Sequence, residues 1–171
     1  GAGVDQPFEM LDACHDRVRR SLDLLRRLRD YLRGHGHGCD DSARQAARDV
    51  LRYFDIAAPL HHEDEELHVF PPLLAQEHDA PLVTLVRQLQ RDHVRMAERW
   101  ATARGPLQAM ADGQLPAFSA EHEAALDGFA ECYADHLRHE DDSIYPAARA
   151  LLDPGAQSAL CQAMARRRGV R

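Results

Sequence analysis

Two short segments of the chain carry a histidine and a glutamate four residues apart, a spacing at which two side chains of one helix can bind a metal ion. The first segment has His61 and Glu65, and the second has His136 and Glu140. On a helix, residues four apart share one face, with Cβ atoms roughly 6 Å apart. Two such helices facing each other could hold metal ions between them. The flanks of the two segments also match, as Glu66 with Asp141, Phe70 with Tyr145, and Pro71 with Pro146.

Two further histidines lie on the inward faces of other predicted helices. His15 stands 46 residues before His61, and His93 stands 43 residues before His136. The chain is therefore interpreted as two helical hairpins of one design, each giving a histidine from its first helix and a His-x-x-x-Glu pair from its second. Folded about a pseudo-twofold axis, the hairpins would bring together four imidazoles and two carboxylates, namely His15, His61, Glu65, His93, His136 and Glu140.

The donor types narrow the choice of metal. Mixed imidazole and carboxylate ligands favour iron, zinc, manganese or copper over calcium and magnesium, which prefer oxygen ligands. Carboxylates can bridge two ions roughly 3.5–4 Å apart, and six ligands suit a dinuclear iron centre better than a structural zinc, which takes about four. His62 points about 100° away from His61 on a helix, so it is either a further ligand or a neighbour of the ligands. Three acidic residues are expected to orient the ligands or to face solvent: Glu66, Asp141 and Asp142.

Apolar residues recur every three or four positions along most of the chain, which is the pattern of amphipathic helices. No stretch has the period-two alternation of a strand. We therefore expect an all-α fold, an antiparallel up-down four-helix bundle with a short C-terminal helix, whose interior is a usual place for metal ligands. The first predicted helix covers residues 7–33, the third about 81–103, and the short C-terminal helix 156–167 with Asp153 as its cap. The second is capped by Asp41 or Ser42 and leads into the first His-x-x-x-Glu pair. The fourth begins at Pro116 or Ser119 and leads into the second pair.

Glycine and proline mark the expected interruptions of these helices. The glycine-rich stretch at 34–38 should end the first helix, and Gly105 with Pro106 should begin the crossing to the fourth. Pro59 should kink the second helix just before the histidines or start a fresh segment, because proline lacks a backbone donor.

Length, charge and cysteine usage limit the classes of protein to consider. The 171 residues suit a single domain, with the bundle at about 7–150 and a C-terminal extension at 153–171. A net charge of −7 argues against binding of nucleic acid or of an anionic membrane. The four cysteines form no Cys-x-x-Cys pair, which indicates a reducing compartment. With no apolar run of about 18 residues and no signal segment, we expect a cytoplasmic protein. The basic run 166–168 is interpreted as the ordinary cationic end of a last helix.

The order of the motifs, a histidine followed by His-x-x-x-Glu and then the same again, resembles that of the hemerythrin-like (HHE cation-binding) family over residues of about 7–150. The flanks ending in Val69-Phe70-Pro71 and Ile144-Tyr145-Pro146 are similar to those of bacterial members. The resemblance implies a four-helix bundle around two iron ions joined by an oxo or hydroxo bridge, with zinc or manganese as alternatives. It also implies terminal ligands at His15, His61, His93 and His136, and bridging ligands at Glu65 and Glu140.

The third helix departs from the pattern of the oxygen-carrying hemerythrins, which place two histidines four residues apart there. Here His93 is followed by Ala97 at that spacing. Either both metal ions keep an open coordination position, or water or His62 fills the gap. The departure weakens the case for reversible oxygen carriage and favours reactions with O2, peroxide or nitric oxide.

Three hypotheses about function remain open from the sequence. The first is a non-haem di-iron protein that binds or senses O2, peroxide or nitric oxide, or that holds iron. The alternative is a di-iron enzyme with catalase-like or nitric-oxide-reducing activity. The third is a helical interaction module, for example a homodimer, in which the metal serves only stability.

Overall fold

The computed structural model of the chain describes residues 6–34 and 38–170, and the regular structure in these ranges is entirely helical. The helices are α1 at Gln6–Arg33, α2 at Asp41–Arg52, α3 at Ala58–Asp64, α4 at Phe70–Leu74, α5 at Ala80–Ala111, α6 at Ala120–Ala130, α7 at Ala134–His139, α8 at Tyr145–Leu151 and α9 at Pro154–Arg167. π-Helical segments occupy Tyr53–Ala57, Glu65–Val69 and Glu140–Ile144. The prediction of an all-α protein is confirmed, whereas the antiparallel four-helix arrangement stays a prediction. No helix within the described ranges is long and apolar enough to cross a membrane.

Two helix ends agree with the signals in the sequence. α1 ends at Arg33, directly before the glycine-rich stretch, of which residues 35–37 lie outside the described part of the chain. Asp153 caps α9 by accepting a hydrogen bond of 2.7 Å from the backbone N–H of Ala156. This is the expected role of an aspartate that precedes a proline at the first position of a helix.

The cap of α2 differs from the prediction by one residue. Asp40, rather than Asp41 or Ser42, is the N-cap and accepts a hydrogen bond of 2.9 Å from the backbone N–H of Ala43. Asp41 instead lies in the first turn, where a carboxylate still interacts favourably with the helix dipole. The three consecutive polar residues all have cap propensity, so the sequence alone did not separate them.

α5 continues through Gly105 and Pro106 to Ala111, so the prediction that the helix ends near residue 103 is wrong. A glycine and a proline inside a helix cost about 1 and 3 kcal/mol. Leu107 and Met110 are fully buried by the continuation, and burying each such side chain contributes about 1.5–3 kcal/mol. Burial of the second half of the helix is therefore large enough to offset the local penalty.

Each π-helical segment closes one residue before a proline. The backbone N–H groups of Ala58, Phe70 and Tyr145 bond to carbonyls five residues back, and the next residues are Pro59, Pro71 and Pro146. Proline lacks a donor and its ring collides with the carbonyl four residues back, so a wider turn relieves the crowding. Pro106 lies in α5 without such a turn, which shows that proline alone does not dictate it.

Contacts within the chain divide it into two compact units. The first comprises the described residues of Gly1–Asp16, Pro59–His93 and Asp135–Arg171, and it contains all six predicted metal ligands. Because α9 supplies two residues to the core, the C-terminal helix is an integral part of this unit. The core residues are Phe8, Leu11, Val69, Phe70, Leu73, Val86, Leu89, Ile144, Tyr145, Ala148, Leu160 and Met164.

The second unit comprises Arg17–Ala58 and Val94–Ala134, and packed aromatic rings form its interior. The ring of Phe54 lies 4.9 Å from that of Phe129, 5.3 Å from that of Trp100 and 5.8 Å from that of Tyr133, measured between centroids. Aromatic pairs at such separations add about 0.5–1.5 kcal/mol each beyond their buried area. Burial raises the pKa of Tyr133 far above its usual range, so its phenol stays neutral.

Asp55 of the second unit is expected to contribute stability that disappears in acid. Its carboxylate accepts hydrogen bonds from Arg104 at 2.9 and 3.1 Å and from the Trp100 indole at 2.8 Å. The bond from Arg104 lowers the pKa of Asp55 and outweighs partial burial, which raises it, and the indole assists. Since the folded pKa lies below the unfolded one, the contribution is present above pH ~4 and is lost as the pH falls further. We expect Asp55→Asn to reduce the free energy of unfolding by about 1 kcal/mol at pH 7, the upper end for a partly exposed pair.

Urea denaturation of the wild type and Asp55→Asn at pH 7 and pH 3 tests this expectation. The difference between the two proteins should shrink at pH 3. Asp49→Asn is the matched control, because the ion pair of Asp49 with Arg52 is exposed and 3.8 Å long. A difference that is the same at both pH values would contradict the role assigned to Asp55.

Candidate metal centre

The structure brings the six predicted residues together as two overlapping clusters of metal-binding atoms. One cluster comprises His15, His61, Glu65 and Glu140, and the other comprises Glu65, His93, His136 and Glu140. Within each cluster the candidate donor atoms lie within 4.8 Å of one another, and all six residues are buried. Each cluster therefore has two imidazoles of its own, while the two carboxylates belong to both.

One oxygen of each glutamate faces an imidazole from both clusters. Oε1 of Glu65 lies 3.6 Å from Nε2 of His61 and 3.2 Å from Nε2 of His93. Oε1 of Glu140 lies 3.2 Å from Nε2 of His15 and 3.1 Å from Nε2 of His136. Carboxylates that face two sets of donors in this way are suited to bridge two ions.

Three of the four imidazoles are held from behind by a carboxylate. Nδ1 of His15 bonds to Asp141 at 2.7 Å, Nδ1 of His93 to Glu66 at 2.9 Å, and Nδ1 of His136 to Asp92 at 3.0 Å. A carboxylate can only accept, so each Nδ1 carries a hydrogen, and each Nε2 points into the clusters, where it can bind a metal ion once it carries no proton. This is the usual support of a histidine that binds a metal.

The sequence predicted two of these three supporting carboxylates. Glu66 and Asp141 were expected to orient ligands or to face solvent, and the structure shows them hydrogen-bonded to His93 and His15. Asp92 was missed, although its position directly before His93 was visible in the sequence. It supports His136, which is 44 residues away, and no local spacing indicates that pairing.

Several buried polar atoms at the clusters have no hydrogen-bond partner among the described residues. Leaving one such group unsatisfied costs about 1–3 kcal/mol, and more when it is charged. A cation between the clusters would satisfy the oxygens and the Nε2 atoms, and imidazole with carboxylate is a donor set that iron, zinc and manganese accept. The residues present thus fit a bound metal. The atoms are Oε1 of Glu65, Oε1 and Oε2 of Glu140, Nε2 of His93, Nε2 of His136 and Nδ1 of His61.

Burial and mutual interactions shift the pKa values of the clustered groups in different directions. Burial lowers the pKa of His61 to about 4, so this imidazole is neutral near pH 7. Burial opposes charge on His93 as well, but the neighbouring carboxylates of Glu65 and Glu66 outweigh it and raise its pKa to about 9. Burial likewise opposes charge on Glu65, yet His61 and His93 hold its pKa well below the usual range. A metal ion that binds His93 must therefore displace a proton.

Tyr145 is a site residue that the sequence analysis missed. Its buried hydroxyl donates to Oε2 of Glu65 at 2.8 Å and lies 2.9 Å from Nε2 of His15 and 3.3 Å from Nε2 of His61. Burial, with Glu65 nearby, raises the pKa of the phenol well above 10, so the group is protonated here. The signal in the sequence was that Tyr145 carries a hydroxyl that Phe70, the matching residue of the other motif copy, lacks.

The π-helical segments explain why Tyr145 reaches the clusters. On an α-helix a residue five positions after Glu140 would point about 140° away from it. The N–H of Tyr145 instead bonds to the carbonyl of Glu140, and this wider turn brings Tyr145 toward the helix face that carries the glutamate. The first copy has the same turn between Glu65 and Phe70. π Turns are frequent at functional sites.

His62 lies beside the clusters and not in either of them. Its ring is half-buried and stacks on the ring of His93, with centroids 4.1 Å apart and planes 19° from parallel. Burial, with His93 nearby, lowers the pKa of His62 well below 6.5. In the structure His62 packs against His93 and lies outside both clusters, and its role toward a metal stays a prediction.

The C-terminal helix contacts the residue directly before Glu65. Asp64 is fully buried and accepts hydrogen bonds from Arg167 and from Nη2 of Arg168, the latter at 2.7 Å. Arg167 also lies 3.2 Å from Nε2 of His68. The interpretation of the basic run as an ordinary helix end therefore missed a specific ion cluster that ties α9 to α3.

Comparison with known proteins agrees with this arrangement. A family model described as the hemerythrin HHE cation binding domain matches residues 6–148. A protein of Haemophilus influenzae, described as uncharacterized, is 30% identical over 168 residues, which are 98% of this chain and 92% of the relative. That second match extends beyond residue 148, so it includes the C-terminal helix.

Proposed function

The chain belongs to the hemerythrin HHE cation binding domain family, and on that premise we propose that it binds two iron ions. Through these ions the protein would bind or sense O2, peroxide or nitric oxide, or it would serve to hold iron. His15 and His61 would hold one ion, and His93 and His136 the other. Glu65 and Glu140 would bridge the pair. The antiparallel four-helix bundle of the sequence prediction is part of this proposal.

The observation that carries the proposal is that Glu65 and Glu140 are shared by both clusters. A single tetrahedral zinc would need about four donors and would leave the remaining buried groups without partners. Two ions use all six residues and satisfy the Nε2 atoms and carboxylate oxygens that have no hydrogen-bond partner. The shared carboxylates therefore favour a pair of ions over one.

The charge of the surrounding carboxylates supports the same conclusion. Two glutamates face the clusters directly, and Glu66, Asp92 and Asp141 lie behind the imidazoles. Five carboxylates in and around a buried site are costly unless cations balance them. Two ions that each carry two or three positive charges balance most or all of the negative charge of these five carboxylates, whereas one divalent ion does not.

The protein residues leave positions for small ligands at the ions. Each cluster offers two imidazoles and two carboxylates, and Ala97 offers no donor where the oxygen-carrying family members have a second histidine. When bound, two iron ions supply vacant coordination positions and reversible redox chemistry. Burial of the six residues excludes bulk water, so access is limited to small molecules such as O2, peroxide and nitric oxide.

A di-iron enzyme with catalase-like or nitric-oxide-reducing activity is the second candidate. The same small number of protein donors favours it, because a reactant must bind and leave at each cycle. His62 stacks on His93 beside the clusters and could take or give a proton there. Turnover separates this candidate from a protein that only binds or senses.

Iron reconstitution tests the proposal. Chain purified without an affinity tag and stripped by chelator should retain two iron ions after incubation with ferrous iron and gel filtration. Near-ultraviolet charge-transfer absorption should then appear and change on addition of azide or peroxide. Zinc and manganese are added in parallel samples. If the chain retains one of these metals and not iron, that metal takes the place of iron in the proposal.

Matched histidine variants show whether the ions occupy the proposed site. His61→Ala should lose iron, whereas His78→Ala, which removes an exposed histidine in a turn, should not. Failure of the wild type to retain any metal would overturn the proposal. Catalytic decomposition of peroxide far beyond the iron concentration would select the enzyme. If the protein binds metal but its absorption does not respond to small ligands, the metal serves only the stability of the fold.

A further inference from the structure

The hydroxyl of Tyr145 makes the two otherwise similar clusters unequal. Its oxygen lies 2.9 Å from Nε2 of His15, 3.3 Å from Nε2 of His61 and 2.8 Å from Oε2 of Glu65. His15 and His61 belong to the first cluster alone, and Glu65 belongs to both clusters. The corresponding residue of the other motif copy, Phe70, has no donor atom and stacks on the ring of His93 at 5.6 Å.

The separations around this oxygen are those between neighbouring ligands of one ion. Nitrogen and oxygen ligands stand about 2.0–2.2 Å from a transition-metal ion such as zinc. Two ligands at right angles around it are then about 3 Å apart. The oxygen of Tyr145 meets this condition with three donors at once, whereas a phenol that only donates a hydrogen bond needs one such neighbour.

We propose that the hydroxyl oxygen of Tyr145 is a ligand of the ion held by His15 and His61. This inference rests on the proposed function, since it requires metal at the clusters. On binding, the O–H bond of the phenol breaks, its proton leaves to bulk water, and the oxygen bonds to the ion. No change of oxidation state is involved, and Glu65, which accepts that hydrogen bond in the metal-free chain, becomes available to bridge.

The packing around Tyr145 holds the ring in the position that this role requires. The ring stacks on His15, with centroids 4.9 Å apart and planes 22° from parallel. It also forms an edge-to-face pair with the ring of Phe8, with centroids 6.2 Å apart. Only 1% of Tyr145 is exposed. A ring fixed on two sides cannot withdraw its hydroxyl without disturbing the core, so the oxygen stays at the cluster.

The consequence is that small ligands bind at the other ion. The first ion would have five protein donors, from His15, His61, Glu65, Glu140 and Tyr145. The second ion would have four, from His93, His136 and the two glutamates. An exogenous ligand therefore finds more open positions on the second ion, near the rings of His62 and Phe70, which both stack on His93.

Diffraction at the iron edge from crystals of the reconstituted wild type, soaked in azide, tests the inference directly. We expect two anomalous peaks, one of them about 2 Å from the oxygen of Tyr145, with azide on the other. Two peaks with this oxygen more than about 3 Å from both would overturn the inference and leave the proposed function intact. Azide on the first ion would overturn the assignment of the open position. Absence of peaks would overturn the proposed function, and the inference with it.

Solution spectroscopy supplies an independent measurement. A phenolate bound to ferric iron absorbs in the visible region, and this band should be present in the wild type and lost in Tyr145→Phe. Tyr133→Phe removes a buried tyrosine outside the clusters and should keep the band. The iron affinity of Tyr145→Phe should fall by at least roughly 10- to 100-fold, the range for support residues. An unchanged spectrum and affinity in Tyr145→Phe would contradict ligation.

Discussion

Glu65→Ala should bind neither metal ion, whereas His93→Ala should still bind one. Glu65 belongs to both clusters, and its Oε1 faces His61 on one side and His93 on the other. Removing it takes a donor and a buried negative charge from each ion. His93 belongs to one cluster, so its loss should weaken one ion by at least roughly 10- to 100-fold and affect the other only indirectly.

Metal content after gel filtration distinguishes the two outcomes. Plasma mass spectrometry should find two iron ions per wild-type chain, about one in His93→Ala and close to none in Glu65→Ala. Glu77→Ala is the matched control, because Glu77 is exposed in the turn between α4 and α5. Circular dichroism checks that each variant remains helical. Equal metal loss in Glu65→Ala and His93→Ala would contradict the shared role of Glu65.

The six clustered residues could be predicted because helical geometry fixes where a local pattern points. His61 with Glu65, and His136 with Glu140, share a face at any point of an α-helix. His15 and His93 followed from the repeat of the same spacing, and the structure brings all six residues together. Their role as ligands stays a prediction, since proximity alone does not demonstrate a bound ion.

The local sequence pattern could not place Tyr145 at the clusters, for a physical reason. The interpretation assumed 100° per residue, and the π turn after Glu140 breaks that assumption by adding a residue to the turn. The contacts of Tyr145 also reach His15, 130 positions away. Both the turn and the pairing depend on tertiary packing, which a single sequence does not contain.

The end of α5 and the roles of the last arginines were missed for related reasons. Gly105 and Pro106 are strong local signals of a helix end, but burial of Leu107 and Met110 outweighs them. The basic run looked ordinary because its partner, Asp64, is more than a hundred positions away in the sequence. Local signals therefore predicted most of the elements and failed where long-range burial or charge pairing decides.

Asp64→Ala should be strongly destabilising, although Asp64 lies outside the clusters and the apolar core. The carboxylate of Asp64 is fully buried, and the side chains of Arg167 and Arg168 are only 15% and 23% exposed. Removing one partner of a buried ion pair leaves an uncompensated charge and costs about 3–5 kcal/mol. We expect the free energy of unfolding of the metal-free chain to fall by that amount, as measured by urea denaturation.

Glu63→Ala provides a control that shares one of the arginines. The carboxylate of Glu63 is 53% exposed and 3.5 Å from Nε of Arg167, so its loss should cost at most about 1 kcal/mol. A similar cost for both variants would show that Arg167 is a surface partner and that burial of Asp64 does not matter.

A double-mutant cycle of Asp64→Ala with Arg168→Ala isolates the ion pair from simple loss of packing. The double variant should be less destabilised than the sum of the single variants, because Arg168 no longer stands there without its partner, while Arg167 keeps Glu63. Additive effects would assign the cost to packing. Since Asp64 directly precedes Glu65, the cycle repeated with iron bound also measures coupling of α9 to the clusters. A coupling energy that increases with iron would show that the C-terminal helix holds Glu65 in place for the metal.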